Sequence, residues 1–478
     1  MVKLKRQDTA LTFRAGTKVA DAPTFGSSVF FCLDRKSKVE WVLMSSPRKN
    51  VVLDAVATAG RNLSDATILE LIRDPKRPET LNLLTWRGRV IATGAQARHC
   101  GQRYVPISLN PTVLKAVQFP TRVAPRESTE KLFSDTQELI PKHLDQPQPC
   151  TDSLVFCVFC SWLLNALPMV PLMWINYSPG SPWRVAMELL SLLCKRSLVL
   201  MGVGRAEIRA LPMAINPTLI LHEPDMRSAM QRILIGSTHR GANLSGGGKI
   251  VDLFGAKIVL SQSVPTETGV DDAIFKITLL PVARNLPRLN SNHSRRIGEE
   301  FQSRFLAYRL RNLNKVETPN FDLGDLAPSL QEVARSMASS VVGYADSQKR
   351  IVPVLQEQDE VLRVERSRAI EFVAIEALRD FCHEPGRSCV RSKELGKKIE
   401  TIFAGRGCLQ ECSPERAGWL MKRMGLQPET IDARSNGLKL TSQIRKQVHY
   451  LAARYRVPLP AKQLVQCTNC DELRTRSA

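Results

Sequence analysis

Ile175-Asn176-Tyr177-Ser178-Pro179-Gly180-Ser181-Pro182-Trp183-Arg184 joins two apolar runs of different period. Pro171–Asn176 before it predicts a buried strand. The stretch 183–195 after it predicts a helix. In a strand, a Gly/Ser/Pro turn and a helix placed in that order, backbone N–H groups and a helix N-terminus can face a phosphate. Gly180, Ser181 and Arg184 are therefore the candidate nucleotide-binding residues. The alternative reading makes Gly180 a turn glycine and nothing more.

Further along, Pro217-Thr218-Leu219-Ile220-Leu221-His222-Glu223-Pro224-Asp225 is an apolar strand ending in acid. A nucleotidase holds Mg²⁺ and polarises water at such a place, which makes Glu223 and Asp225 the candidate catalytic pair. Alternatively, they cap the helix that follows. Strands at 197–201, 256–261 and 274–280 and helices at 154–167, 183–195 and 226–236 complete an alternating pattern. That pattern implies a parallel sheet covered on both faces. Leu154–Ile175 is long enough to span a membrane. Read instead as a buried helix stopped at Pro168 and followed by a strand, it needs no bilayer, and no membrane partner is expected.

With these segments in order, residues 125–315 resemble the ATPase module of plasmid- and phage-type primase–helicase proteins, a branch similar to superfamily 3 helicases and AAA+ ATPases. Ser161-Trp162-Leu163, the turn, Leu193-Cys194-Lys195-Arg196, the acidic strand, the stretch from Gly236 to Gly248 and Lys257-Ile258-Val259 carry the likeness. The resemblance implies ATP and Mg²⁺, ring-shaped homo-oligomers, replication-type protein partners and single-stranded nucleic acid in a channel. Aligned on it, Pro182 stands at the second glycine, Trp183 at the lysine and Arg184 at the Ser/Thr metal ligand. His222 stands at the metal-coordinating Asp. No arginine occupies 271–275, where the family often carries an arginine finger. Trp cannot reach the phosphates as lysine does, and Pro removes a backbone donor. The expected nucleotide site is thus degenerate, with weak or absent ATP and Mg²⁺ binding.

The flanks read differently. Residues 1–118 predict a β-rich N-terminal domain, with strands at 29–33 and 39–44 and a hairpin across Arg87-Gly88-Arg89. Ser64–Ile72 reads as a short capped helix. Residues 119–150 read as a proline-punctuated linker with one helix at 129–140, 151–290 as the P-loop NTPase-like (AAA+-like) α/β core, and 291–350 as a helical lid. Arg304, Arg309 and Arg311 would lie on the lid's solvated face or reach toward a nucleotide. Arg240 and Lys249, flanking Gly246-Gly247-Gly248, fall where related helicases place a nucleic-acid-contacting hairpin.

Residues 365–460 predict three helices and a hairpin turning at Asn436-Gly437, which resembles a winged helix. Arg416, Lys422 and Arg423 would lie on or near the recognition helix, and Arg434 and Lys439 on the wing. The 461–478 tail holds Cys467-Thr468-Asn469-Cys470. A zinc site needs four ligands, and Cys382, His383, Cys389, Cys408, Cys412 and His449 are irregularly spaced, so a free thiol pair is expected and no metal.

The 478 residues carry 67 Lys+Arg against 46 Asp+Glu, a net charge of +21. This surplus favours a polyanion, nucleic acid first. The 43% hydrophobic and 24% charged content fits globular domains. Twelve scattered cysteines without a signal-like start fit a cytoplasmic location better than a disulfide framework. The expected function is a DNA-binding, ATPase-like scaffold of a mobile-element or phage-type replication system, and not an efficient ATPase. An active ATP-driven helicase or translocase and a winged-helix regulator are the alternatives.

Overall fold

The computed structural model describes residues 31–33, 39–41, 54–459 and 467–477, except 89, 247–248, 266–273, 283–284, 288 and 433–434. Within them the protein is mixed α/β, with a β-rich N-terminal part and a helical C-terminal region.

In the N-terminal part, β1 (Gly60–Asn62), β2 (Ile68–Arg73), β3 (Leu81–Arg87) and β4 (Val90–Gly94) form one antiparallel sheet in chain order. The hairpin across Gly88 is as predicted, and Gly88 takes φ +60. The Ser64–Ile72 helix is not: Ile68–Arg73 is a strand. Ile68 and Ile72 enter one hydrophobic core and Leu69 and Leu71 the other. A strand apolar on both faces shows no alternation, and a short apolar run cannot be told from a helix by period alone. The predicted strands at 29–33 and 39–44 lie partly outside the described residues, with Phe31–Leu33 and Val39–Trp41 paired antiparallel.

Next come α1 (Thr129–Leu144) and α2 (Gln148–Leu163). The span read as a linker carries α1, whose Leu132, Phe133, Ile140 and Leu144 belong to the main core. By length and composition Gln148–Ala166 would cross a membrane, but 83% of that window is buried inside the protein. Thr151 to Leu163 is buried without a break, so α2 acts as the core helix.

The alternating segment forms β5 (Leu172–Tyr177), α3 (Trp183–Leu193), β6 (Ser197–Met201), β7 (Thr218–His222) and α4 (Ser228–Gly236). A hairpin, β8 (Asn243–Gly246) and β9 (Lys249–Asp252), precedes β10 (Lys257–Ser261) and β11 (Ile274–Leu279). Five strands run parallel in the order β6-β7-β10-β5-β11. Met173, Ile175, Ile220, Ile258 and Phe275 face one core; Leu172, Trp174, Leu219, Leu221 and Val259 face the other. Burial on both faces is what such strands require. The N-terminal sheet lends residues to both of these cores, so it is built into them.

The helices α5 (Ser291–Asn312), α6 (Pro328–Ser339) and α7 (Ile351–Ser367) follow. The remainder has its own core. It comprises α8 (Ile370–His383), β12 (Cys389–Arg391), α9 (Ser392–Gly405), α10 (Pro414–Arg423), β13 (Glu429–Asp432), β14 (Ser435–Lys439), α11 (Ser442–Arg454) and α12 (Thr468–Ser477). Its three strands are ordered β12-β14-β13, all antiparallel. Asn436-Gly437 is not the hairpin turn; both residues lie in β14. Gly437 is required by crowding, because a Cβ there would run into the Val390 carbonyl and the Arg391 backbone.

Candidate functional site

In an open parallel sheet, ligands bind outside the carboxyl ends of the strands, where the connections part to opposite sides. Here β5 lies between β10 and β11, its own connection runs to the far edge strand β6, and its turn opens at that end. Gly180 takes φ +88, a conformation that favours glycine. Ser181 is buried, and its hydroxyl staples the turn. It accepts the Ser178 N–H at 3.0 Å and lies 2.6 Å from Ser178 O and 2.9 Å from Leu279 O.

Trp183 and His222, expected from the resemblance at a lysine and an aspartate position, meet each other. Trp183 stacks on His222 with ring centres 4.2 Å apart and planes 4° apart. Tyr177, the last residue of β5, stacks on Trp183 at 5.2 Å and shares a 2.8 Å hydrogen bond with His222 Nε2. The exposed Arg184 lies 5.1 Å from the centre of the Trp183 ring. Burial pushes the His222 imidazole down; the Glu223 carboxylate opposes this and Arg184 adds to it. Tyr177, Trp183 and His222 thus form one aromatic stack beside the turn. Tyr177 had no sequence signal of its own.

The acidic loop is tied to β10. Glu223 N–H donates to Leu260 O at 3.0 Å, and Gln262 N–H and the Ser261 hydroxyl donate to Pro224 O at 3.1 and 2.9 Å. Glu223 is half-buried and Asp225 exposed. The helix α4 begins at Ser228, with Arg227 as its N-cap, so neither acid is its cap residue.

Arg240, Arg304 and Arg309 are already engaged. Arg240 donates to Leu167 O at 2.9 Å and to Leu164 O at 3.0 Å, and packs over the Phe254 ring. Its guanidinium anchors the hairpin's base and does not project from it. Lys249 opens β9, paired with Gly246. Arg304 and Arg309 are buried, which corrects the solvated-face reading. Arg304 joins Glu127 at 2.8 Å and Asp135; burial opposes its charge, but these bonds push its pKa up.

Arg309 donates to Glu70 at 2.6 Å, and Glu70 also meets Arg196, with Lys195 at 3.7 Å. All four are nearly inaccessible to water. Burial lowers Arg196 and Arg309 to about 9 each, and both stay charged at neutral pH. Lys195-Arg196, part of the family likeness, therefore serves to join β2 to the central core.

The C-terminal module offers solvent-exposed cations. Arg416, Trp419, Lys422 and Arg423 are all exposed on α10, with Trp419 at 52% exposure. Arg423 lies over the Trp419 ring at 5.1 Å and pairs with Glu371 at 3.0 Å. Lys439 on β14 pairs with Glu429 at 3.2 Å. Arg434 lies outside the described residues. A basic helix face with an exposed indole suits a nucleic-acid backbone and its bases.

The expectation of no metal site did not foresee one convergence. His383, His449, Cys467 and Cys470 bring one ligand atom each within 4.8 Å of every other. Only Cys467 and Cys470 were legible as a motif, and the histidines lie on α8 and α11.

No protein-family model and no curated protein matches the chain. Among solved structures, the apo A form of the NrS-1 C-terminal region is similar at 11% identity and TM-score 0.35, over 78% of this chain and 97% of that one. A Drosophila ORC structure bound to DNA is similar at 12% identity and TM-score 0.19, over 70% of this chain and 94% of that one.

Proposed function

We propose that the chain is a nucleic-acid-binding scaffold built on an ATPase-like core, of the mobile-element or phage-replication type that its sequence resembles. The observation that carries this reading is the Tyr177–Trp183–His222 stack, which takes the place of both the phosphate-binding lysine and the metal-binding acid. Electrostatic clamping of a transferring phosphate needs a cation or metal aimed at the developing charge. Here Arg184 is the remaining cation of the turn and lies against an indole. Nucleotide, if bound, is a structural ligand.

The affinity for polyanions rests on the C-terminal module, read as a winged helix with α10 as recognition helix and β13–β14 as wing. DNA is the expected partner. Assembly with further copies or with replication proteins would use the core as a platform.

The test is ATP binding and hydrolysis by the purified chain, with and without single-stranded DNA and Mg²⁺, alongside DNA binding across a salt series. The scaffold reading expects no turnover above background and an affinity that falls steeply with salt. DNA-stimulated hydrolysis abolished by Glu223→Gln would replace it with the motor reading. A salt-resistant preference for one duplex sequence would favour a regulator.

A further inference from the structure

Four residues from three separate elements aim their ligand atoms at one point. His383 is the last residue of α8, His449 lies in α11, and Cys467 and Cys470 bracket the first turn of α12. The two Nε2 atoms are 2.9 Å apart. Cys467 Sγ is 3.3 Å from His449 Nε2, and Cys470 Sγ is 3.3 Å from His383 Nε2. Zinc bonds of about 2.0–2.1 Å to nitrogen and about 2.3 Å to sulfur give a tetrahedron with N···N near ~3.3 Å and N···S near ~3.6 Å. The observed edges match these to within a few tenths of an ångström, so the four groups already stand near a zinc coordination shell.

The surroundings favour a ligand set over a chance cluster. The Arg445 carbonyl lies 2.7 Å from His449 Nδ1, and a carbonyl can only accept. That bond places the His449 proton on Nδ1 and leaves the Nε2 lone pair facing the cluster, the outer-shell contact typical of metal-bound histidine. His449 and Cys470 are fully buried.

The tail helix also needs an anchor. Among its described side chains Cys470 is the one that is buried, and a ten-residue helix is marginal in water unless packing holds it. No disulfide is present among the described cysteines to supply that hold.

We propose that His383, His449, Cys467 and Cys470 bind one Zn²⁺ that fastens the C-terminal helix to α8 and α11. Two thiolates and two neutral imidazoles balance the ion's charge, and a set of two sulfurs and two nitrogens selects zinc among the abundant divalent metals. Four protein ligands close the shell, so the site is structural and lacks the open position that zinc catalysis uses.

The full chain, produced in zinc-supplemented medium, would be assayed by elemental analysis for zinc and iron. About one zinc and no iron per chain is expected. Co²⁺ added after chelation should give a thiolate-to-cobalt charge-transfer band and the visible bands of four-coordinate cobalt. Cys470→Ser should lose the zinc, while Cys408→Ser, an exposed cysteine outside the cluster, should keep it. Should Cys470→Ser not fold, thiol labelling of the wild-type chain decides the matter: Cys467 and Cys470 should be protected with zinc and reactive after chelation. Zinc below about a fifth of an equivalent, a cobalt spectrum without the charge-transfer band, or zinc retained in a folded Cys470→Ser would each overturn the proposal.

Discussion

The turn at 178–182 and the four-ligand cluster at the C-terminus are opposites. Around the turn, residue types suited to chemistry gather at 177–184 and are used up on one another and on His222, 45 positions beyond Tyr177: Trp183 covers it, Tyr177 bonds it, and Ser181 turns its hydroxyl inward. In the C-terminal module, ligands as far as 87 positions apart in the chain keep their donor atoms facing one another. Closeness in sequence marks a stretch whose residue types suit chemistry. Whether those groups are available is decided by what the fold packs against them.

That contrast can be broken. If the centre uses its charged residues internally, removing one should cost stability far more than function. Glu70→Leu leaves Arg196, Arg309 and Lys195 buried without a counter-charge. It should destabilise the chain by about 3–5 kcal/mol, measured by urea unfolding. A loss below about 1 kcal/mol would show that these cations reach water, and the centre would no longer differ from the C-terminal surface.

Lys257 tests the same claim through pH. Its ammonium is buried and donates to Ser237 O and Gly255 O, both at 2.9 Å. Burial lowers it to about 7, with Asp252 opposing. The folded value lies below the unfolded one, so above about pH 7 the unfolded state holds more protons and stability rises with pH. Between about pH 7 and 8.5, wild type should gain about 2 kcal/mol relative to Lys257→Met. Parallel stability curves would place water beside the ammonium.

Trp183→Ala uncovers the turn. It should cost about 1–2 kcal/mol by loss of the stack and of buried area, and produce no ATP turnover. Turnover in this variant would mean that the stack masks a competent site and does not replace one. On the exposed side of the comparison, Arg416→Ala with Lys422→Ala should shift stability by less than about 0.5 kcal/mol. The same pair should lower the salt slope of DNA binding by about 2. An unchanged slope would move the nucleic-acid surface off α10.

Much of the architecture was legible from period and punctuation. Apolar strands alternating with helices gave the parallel sheet, and Ser413-Pro414 before Arg416-Ala417-Gly418-Trp419-Leu420 gave the start of α10. What failed was where both faces are buried or where a residue's role depends on distant packing. Ile68–Arg73 lacked alternation and passed for a helix. Asn436-Gly437 looked like a turn, but the close passage of Val390 calls for the glycine. Arg304 and Arg309 looked solvated because their carboxylate partners Glu127, Asp135 and Glu70 lie well over a hundred positions away. At the turn, the residue types at 182, 183 and 222 were readable, while the stacking of Trp183 on His222 was not. His383 and His449 were among the candidate ligands, but their irregular spacing concealed that the helices carrying them bring both to Cys467 and Cys470.

The Glu70 cluster bears on how this protein can be divided. A fragment beginning after the N-terminal sheet would retain Arg196 and Arg309 but not the carboxylate they enclose. It would also lose Leu69, Leu71 and Leu83, which share a core with Leu219 and Val259. Such a fragment would expose a greasy face studded with unneutralised guanidinium groups, a recipe for precipitation. The sheet that looks like a detachable preface is therefore part of the smallest piece able to fold, and an insertion, graft or exchange of domains would have to carry it along.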